Sequence, residues 1–283
     1  TIQDRPLLHT LLPGLVSTDT IYINADIDPS TLALDVDGRQ VVYGSNTIDS
    51  LQVRVNGVDS GLDYRVSVDK VSTPAMQLWK SSVTGRLDKD DITANIRLGD
   101  SADKARFAIN AVLQQDDSAN VLTLKEGLLL NYETWQVAQP NKIVFGKQGV
   151  YAQDFKISKG GESISLNSST PQYNAPLNVD ITQFSIANIT EIMQKDTLLA
   201  DGILNTKLVV ENLATAPSAT GTIQVKEIKV KDNPMGDLNI ELKTASANEV
   251  AAHLDLKGND NDIALNGSYY PEPNNGNNFD MKL

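Results

Sequence analysis

An all-β fold of many antiparallel strands is what this sequence predicts, on three observations. Apolar and polar residues alternate along most of the chain, the period of strands with one buried face. Turn formers punctuate these runs at short intervals: Asp37-Gly38, Asn56-Gly57, Lys159-Gly160-Gly161, Asn233-Pro234 and Gly258-Asn259. Sequence neighbours should therefore pair as hairpins or short meanders. Helical spacing surfaces in only two short segments.

The first of these, DRPLLHTLLPG, predicts a helix with Asp4 as its cap and Pro6 in its first turn. Leu7, Leu8, Leu11 and Leu12 fall at helical spacing, and Pro13-Gly14 is the stop. Strands follow. Leu32, Leu34 and Val36 share one side, as do Leu51, Val53 and Val55, then Tyr64, Val66 and Val68, then Ile92, Ala94, Ile96 and Leu98. The stretch ADKARFAINAVL fits both periods, but strands on either side favour a strand through Phe107, Ile109, Ala111 and Leu113. Leu122 and Leu124 come next, then Leu128, Leu130 and Tyr132.

Further on, Leu177, Val179 and Ile181 alternate. The segment NITEIMQKD then predicts the second helix, with Asn188 as cap and Glu191 three residues on. Leu208 and Val210 resume the strands, followed by Ile223 and Val225, then Ile228 and Val230. Leu238, Ile240 and Leu242 continue the series, and Leu254, Leu256, Ile263 and Leu265 close it. The basic run KEIKVK at 226–231 alternates with apolar residues and reads as the wet face of a strand.

At 283 residues the chain can bury a sizeable core. Its net charge of −12 disfavours nucleic acid or an anionic surface as a partner through the general field. There is no cysteine, hence no disulfide framework and no thiolate metal site. No apolar run approaches the ~20 residues that span a bilayer as a helix. The pattern begins mid-stride at Thr1 and ends on what reads as another strand, so an excerpt of a longer protein is expected. Residues 1–283 are expected to form one continuous region, with a soft seam near 168–176.

Sites of chemistry are scarce. Of the two histidines, His9 lies in the Leu-rich first helix and His253 on the polar side of VAAHLDL; neither joins a compact constellation. Phosphate-binding and dinucleotide fingerprints and the nucleophile-elbow motif are missing. The acidic clusters DVDGR (35–39), DKDD (88–91) and GNDND (258–262) match no calcium loop and fall where turns are expected. Three glycosylation-like triplets occur, at 167–169, 188–190 and 266–268. The expectation is a non-enzyme without metal or cofactor.

Something must cover the apolar faces of so many strands. A second sheet would give a closed β-sandwich, a structural or adhesion module. A single sheet curled into a trough would be filled by an apolar ligand instead. Periodicity leaves both open.

Two long stretches carry a family resemblance. LKEGLLLNYETWQVAQPNKIVFGKQGVYAQDFKISKGGESISLNSS (124–169) places Trp135, Asn141, Ile143 and Val144 before a Gly-containing hairpin and an alternating strand. LLADGILNTKLVVENLATAPSATGTIQVKEIKVKDNPMGDLNIELK (198–243) repeats a rhythm of Gly-led strands around a Pro-containing turn. HTLLPGL and VVYGSNTIDSLQVRVNG near the start read the same way. Together they resemble the TamB family, the AsmA-like translocation and assembly proteins of Gram-negative envelopes, in its Bacteroidetes-type form.

The resemblance implies an open trough, the β-taco, repeated along a periplasmic rod. It implies an inner-membrane anchor outside this segment, phospholipid acyl chains as cargo, and an outer-membrane barrel of the TamA/BamA type as partner. It implies, too, that Leu122, Leu124, Leu128, Leu130 and Tyr132 line the groove, with Leu51, Val53 and Val55 before them. Leu208, Val210, Leu238, Ile240 and Leu242 would continue the lining. Thr123, Lys125 and Asn131 would face water, and Trp135 would either pack the floor at a bend or close an edge.

Overall fold

The computed structural model describes residues 1, 3–28, 32–58, 60–116, 119–193, 199–214, 216–274 and 277–282. Helix α1 (Pro6–Leu11) opens the chain. It is followed by β1 (Leu15–Thr18), β2 (Ile21–Ile27), β3 (Leu32–Tyr43), β4 (Asn46–Val58), β5 (Gly61–Ser72), β6 (Gln77–Asp88), β7 (Asp91–Gly99) and β8 (Ala105–Asp116). Short strands come next: β9 (Ala119–Leu124), β10 (Leu128–Leu130), β11 (Glu133–Val137), β12 (Lys142–Gly146), β13 (Gly149–Gln153) and β14 (Phe155–Lys159). Then come β15 (Glu162–Ser168), β16 (Leu177–Ser185), helix α2 (Ala187–Thr190) and a 3-10 turn (Glu191–Met193). Long strands finish the chain: β17 (Ala200–Glu211), β18 (Ser218–Val230), β19 (Asn233–Ser246), β20 (Glu249–Gly258), β21 (Asn261–Asn274) and β22 (Asn277–Lys282). The fold is all-β with two short helices, and the ambiguous stretch 102–113 supplies strand β8.

The chain forms two compact units, divided mainly between Gln115 and Trp135. In the first, β1 and β2 both pair with β3, and the ladder runs on through β4, β5, β6, β7 and β8 to β10. In the second, β9 pairs with β12 and β12 with β13, while β11 starts a ladder through β14, β15 and each later strand to β22. Among the described residues each of these pairings is antiparallel. No ladder closes on itself among the described residues, so the sheet is open as the trough requires.

Register converts the alternation into faces. In the first unit Val53, Val66, Val83, Ile96 and Ile109 align across five strands. In the second, Leu166, Val179, Leu208, Gly221, Leu242, Ala252, Gly267 and Met281 align across eight.

The second unit's sheet is curled, and two side chains prove it. Trp135 on β11 and Phe184 on β16 have ring centroids 5.7 Å apart. Strands β14 and β15 lie between them in the ladder, which in a flat sheet would separate the two strands by roughly 14 Å. Glycine permits the tight passages. A Cβ on Gly221, whose φ is +142°, would lie 2.0 Å from the Lys207 carbonyl oxygen on the next strand, an approach only a bare backbone tolerates.

The expected seam at 168–176 falls inside the second unit, as the link from β15 to β16. Its polar composition serves attachment. Asn174 donates from Nδ2 to the Gln148 carbonyl (2.9 Å), from its backbone N–H to the Val150 carbonyl (2.9 Å), and accepts from the Val150 N–H (3.2 Å). Tyr173 meets Tyr151 edge to face at 5.6 Å.

Both helices form, without the expected caps. Helix α2 begins at Ala187, so Asn188 sits inside it, buried, donating to the Glu162 carboxylate at 3.0 Å. That burial also withdraws the Asn188 triplet from glycosylation. At α1 the N-cap is Arg5, and Asp4 serves a latch instead. Its carboxylate accepts from the His9 ring and from the Thr18 N–H (3.3 Å), while His9 Nδ1 faces the Leu15 carbonyl at 2.8 Å.

Only the imidazolium donates from both nitrogens at once, so this pair of acceptors selects the charged ring. The Asp4 hydrogen bond first, then the Leu15 carbonyl, raises the His9 pKa above its ordinary 6.5. The same bond to His9 lowers Asp4 below 3.8. His9 therefore contributes fully below 6.5 and loses its contribution as pH rises through its raised value. Asp4 contributes above 3.8 and loses it as pH falls through its lowered value. The latch is strongest between the two. An NMR titration of the His9 ring is expected to give a midpoint above 6.5, returning toward it in Asp4→Asn.

Candidate functional site

The strongest candidate is an apolar cavity of 370 Å³ in the second unit, on the face that strands β17 to β22 share. Val210 of β17 contributes at one end; Ile240 and Leu242 of β19, and Val250, Ala252 and Leu254 of β20, form the middle. Tyr269 of β21 and Phe279 and Met281 of β22 close the far end. In a flat sheet β17 and β22 lie about 24 Å apart, so their sharing one small cavity requires the sheet to curl around it.

Ala252, in register with Leu242, contributes only a methyl group to the middle of the lining. The walls are incompletely covered: Phe279 is 64% and Met281 44% exposed. Ser218, the polar residue of the lining, is 2% exposed and accepts from Asn212 Nδ2 at 3.5 Å. The site therefore offers burial without a directional anchor.

The outer face of the same strands is polar. His253, between two lining residues of β20, points the other way to Asn266 (2.7 Å) and Asp255 (2.8 Å), and these bonds, Asn266 first, raise its pKa. Among the described residues no three acidic or histidine side chains converge as metal ligands. The DVDGR segment lies inside β3 rather than at the expected turn, and its Asp35 and Asp37 pair with Arg54 at 3.1 and 2.8 Å.

Of the residues expected to line a groove, Val210, Ile240 and Leu242 do line this cavity. Leu208 and Leu238 share its face, in register with Leu242 and Leu256 through their neighbours. Leu51, Val53 and Val55 lie in the first unit and are half-buried on the apolar face of β4. The central row is divided: Leu122 and Leu124 belong to β9 of the second unit, Leu128 and Leu130 to β10 of the first.

Tyr132 departs from the row. It follows β10 in a turn where Asn131 and Tyr132 both have positive φ, so the alternation is broken. Its hydroxyl donates to Asp100 at 2.7 Å and Lys104 sits 4.8 Å over its ring. Lining residues not anticipated include Val250, Ala252, Tyr269, Phe279 and Met281. For Ala252 the signal was VAAHLDL, where it keeps the parity of Leu254 but is too small to register as apolar.

Trp135 and Asn141, the paired signature of the central stretch, hold structure together. Both are buried. The Asn141 amide completes the end of β9: Oδ1 accepts from the Leu124 N–H (2.9 Å), and Nδ2 donates to the carbonyls of Leu124 (2.9 Å) and Ala138 (2.7 Å). Asn141→Ala leaves these groups unpaired in a buried setting. It is expected to cost about 2 kcal/mol or more in urea unfolding, and Asn141→Asp, which sets a buried carboxylate oxygen against the two carbonyls that Nδ2 serves, is not expected to rescue it.

The chain matches no protein-family model, no curated protein and no solved structure.

Proposed function

We propose that this chain is a non-catalytic, lipid-holding segment of an envelope scaffold, seating phospholipid acyl chains along its apolar face. The observation that carries this reading is the cavity of the second unit. It is apolar, half-open, built by six consecutive strands, and left uncovered where Phe279 and Met281 emerge. Large apolar surfaces held open by a soluble fold mark sites of apolar partners.

Each buried methylene is worth ~0.8 kcal/mol, so about ten of them supply roughly 8 kcal/mol before ordering costs. The head group stays in water at the open side. Because the lining lacks a polar anchor, no position is a deep trap, and a chain can slide. The resemblance of 124–169 and 198–243 to TamB supports the wider setting: a periplasmic segment anchored in the inner membrane by a part of the protein outside these residues. In that setting it works toward outer-membrane biogenesis with a barrel of the TamA/BamA type.

The test is photocrosslinking in cells with the probe at Leu242 or Leu254, and at Glu241 on the opposite face. Phospholipid adducts at the first two positions and none at Glu241 are expected. Adducts to protein alone at Leu242 and Leu254 would mean that another polypeptide covers this face, and the lipid reading would fall.

A further inference from the structure

The first unit contains a cavity of a different kind. It measures 730 Å³ and lies on the polar face of β4 to β8, among Gln52, Ser67, Ser82, Thr84 and Asn95. A register shift between Trp79 and Ser82 creases β6 against β7 at its edge. Ser50 of β4 and Lys80 of β6 both adopt positive φ (54° and 41°), conformations costly for residues other than glycine. Asp69, between them on β5, binds both side chains, Lys80 at 2.9 Å. Bulges that re-aim side chains into a concavity are a common device beside binding sites.

The charges of the cavity do not balance. Its two carboxylates are each engaged by a cation of the lining: Asp69 by Lys80, and Asp103 by Arg97 at 2.9 Å. Arg65 is left over. It is exposed, and among the described residues it has no hydrogen-bond or ion-pair partner. It also lies directly opposite Arg54 on the neighbouring strand, a like-charge juxtaposition that is unfavourable by itself. Arg54 is neutralised by Asp35 and Asp37. Nothing described does the same for Arg65, in a chain whose net charge is −12. A guanidinium spared by so acidic a chain, surrounded by hydroxyls and amides, fits an oxyanion that accepts two parallel hydrogen bonds and bears polar substituents.

We propose that this cavity binds a phosphorylated polyol, with Arg65 as the bidentate anchor of the phosphate and the Ser, Thr and amide side chains receiving the hydroxyls. The ligand is either a free molecule such as glycerol 3-phosphate or the same chemistry carried as a lipid head group. The inference rests on the first unit alone and is independent of acyl-chain binding in the second.

The experiment titrates the full chain with glycerol 3-phosphate by calorimetry, with glycerol as the uncharged control. It is repeated for Arg65→Gln and for Arg39→Gln, which removes an exposed charge outside the cavity. Flotation with phosphatidylglycerol and with phosphatidylcholine vesicles forms the second arm.

Saturable binding of glycerol 3-phosphate that weakens about tenfold or more in Arg65→Gln, and little in Arg39→Gln, is the expected result. Arg65-dependent flotation with phosphatidylglycerol alone, without binding of the free phosphate, also upholds the site and assigns its source to a head group. No Arg65-dependent binding in either arm, or equal weakening by both variants, overturns it. Acyl-chain binding that persists in Arg65→Gln keeps the two sites distinguishable.

Discussion

An Ala252→Phe chain is expected to fold normally and to bind an acyl-chain probe about thirtyfold more weakly than the parent. Ala252 lies mid-strand on β20, in register with Leu242 and Gly267, and lines the apolar cavity. A phenyl ring there projects into 370 Å³ of space and takes the place of two or three methylenes of a bound chain. At ~0.8 kcal/mol each that is roughly 2 kcal/mol, or about thirtyfold in affinity. The open side lets the ring enter without compressing the sheet, so thermal unfolding by circular dichroism should be little changed. His253→Phe, one residue along and facing the other way, should leave binding intact. Fluorescence titration with cis-parinaric acid reads both. Undiminished binding by Ala252→Phe would place the acyl chain elsewhere.

The largest loss of stability is expected at Trp135. The ring is 1% exposed and packs against Phe184, itself 2% exposed, with the Lys159 ammonium 5.7 Å from its centroid. Trp135→Ala removes the contact that holds β11 over β16 and opens a cavity at the curl, at a cost of about 3–5 kcal/mol. Among the described residues the indole N–H has no hydrogen-bond partner, so the loss is one of packing. Trp135→Phe should then cost less than about 1.5 kcal/mol, because the lost volume is offset by removal of an unsatisfied donor. Urea unfolding followed by circular dichroism separates the two. An equally large loss in Trp135→Phe would point to a role for the N–H that packing does not explain.

Much of the strand pattern was legible in the sequence because strand alternation is a local property. Leu51, Val53 and Val55 share a face on β4, and Leu238, Ile240 and Leu242 on β19, for the same stereochemical reason: successive side chains point to opposite sides of the pleat. Tyr132 shows the limit. Its spacing from Leu130 is that of a strand, but the positive φ at Asn131 and Tyr132 turns the chain, and Asp100, whose carboxylate accepts from the Tyr132 hydroxyl, lies far away in sequence. The stretch 168–176, read as a soft seam, falls inside the second unit. Asn174 looks like loop composition until its partners on the β12–β13 hairpin are known.

The site was legible only in part. Val210, Ile240 and Leu242 could be named because large aliphatic residues announce a buried face. Ala252 could not, since a small residue carries little hydropathy, and neither could Phe279 and Met281, whose alignment with the face exists only once register joins β20, β21 and β22. The sequence by itself determined the strands, their antiparallel order and the parity of each face, all consequences of local backbone geometry and short turns. The tertiary structure alone decided that Trp135 meets Phe184 across two strands, that the second unit's sheet curls, and where an apolar hollow remains. Curl is the sum of many small inter-strand rotations and a few close glycine contacts, and such a sum is written in no single stretch of the chain.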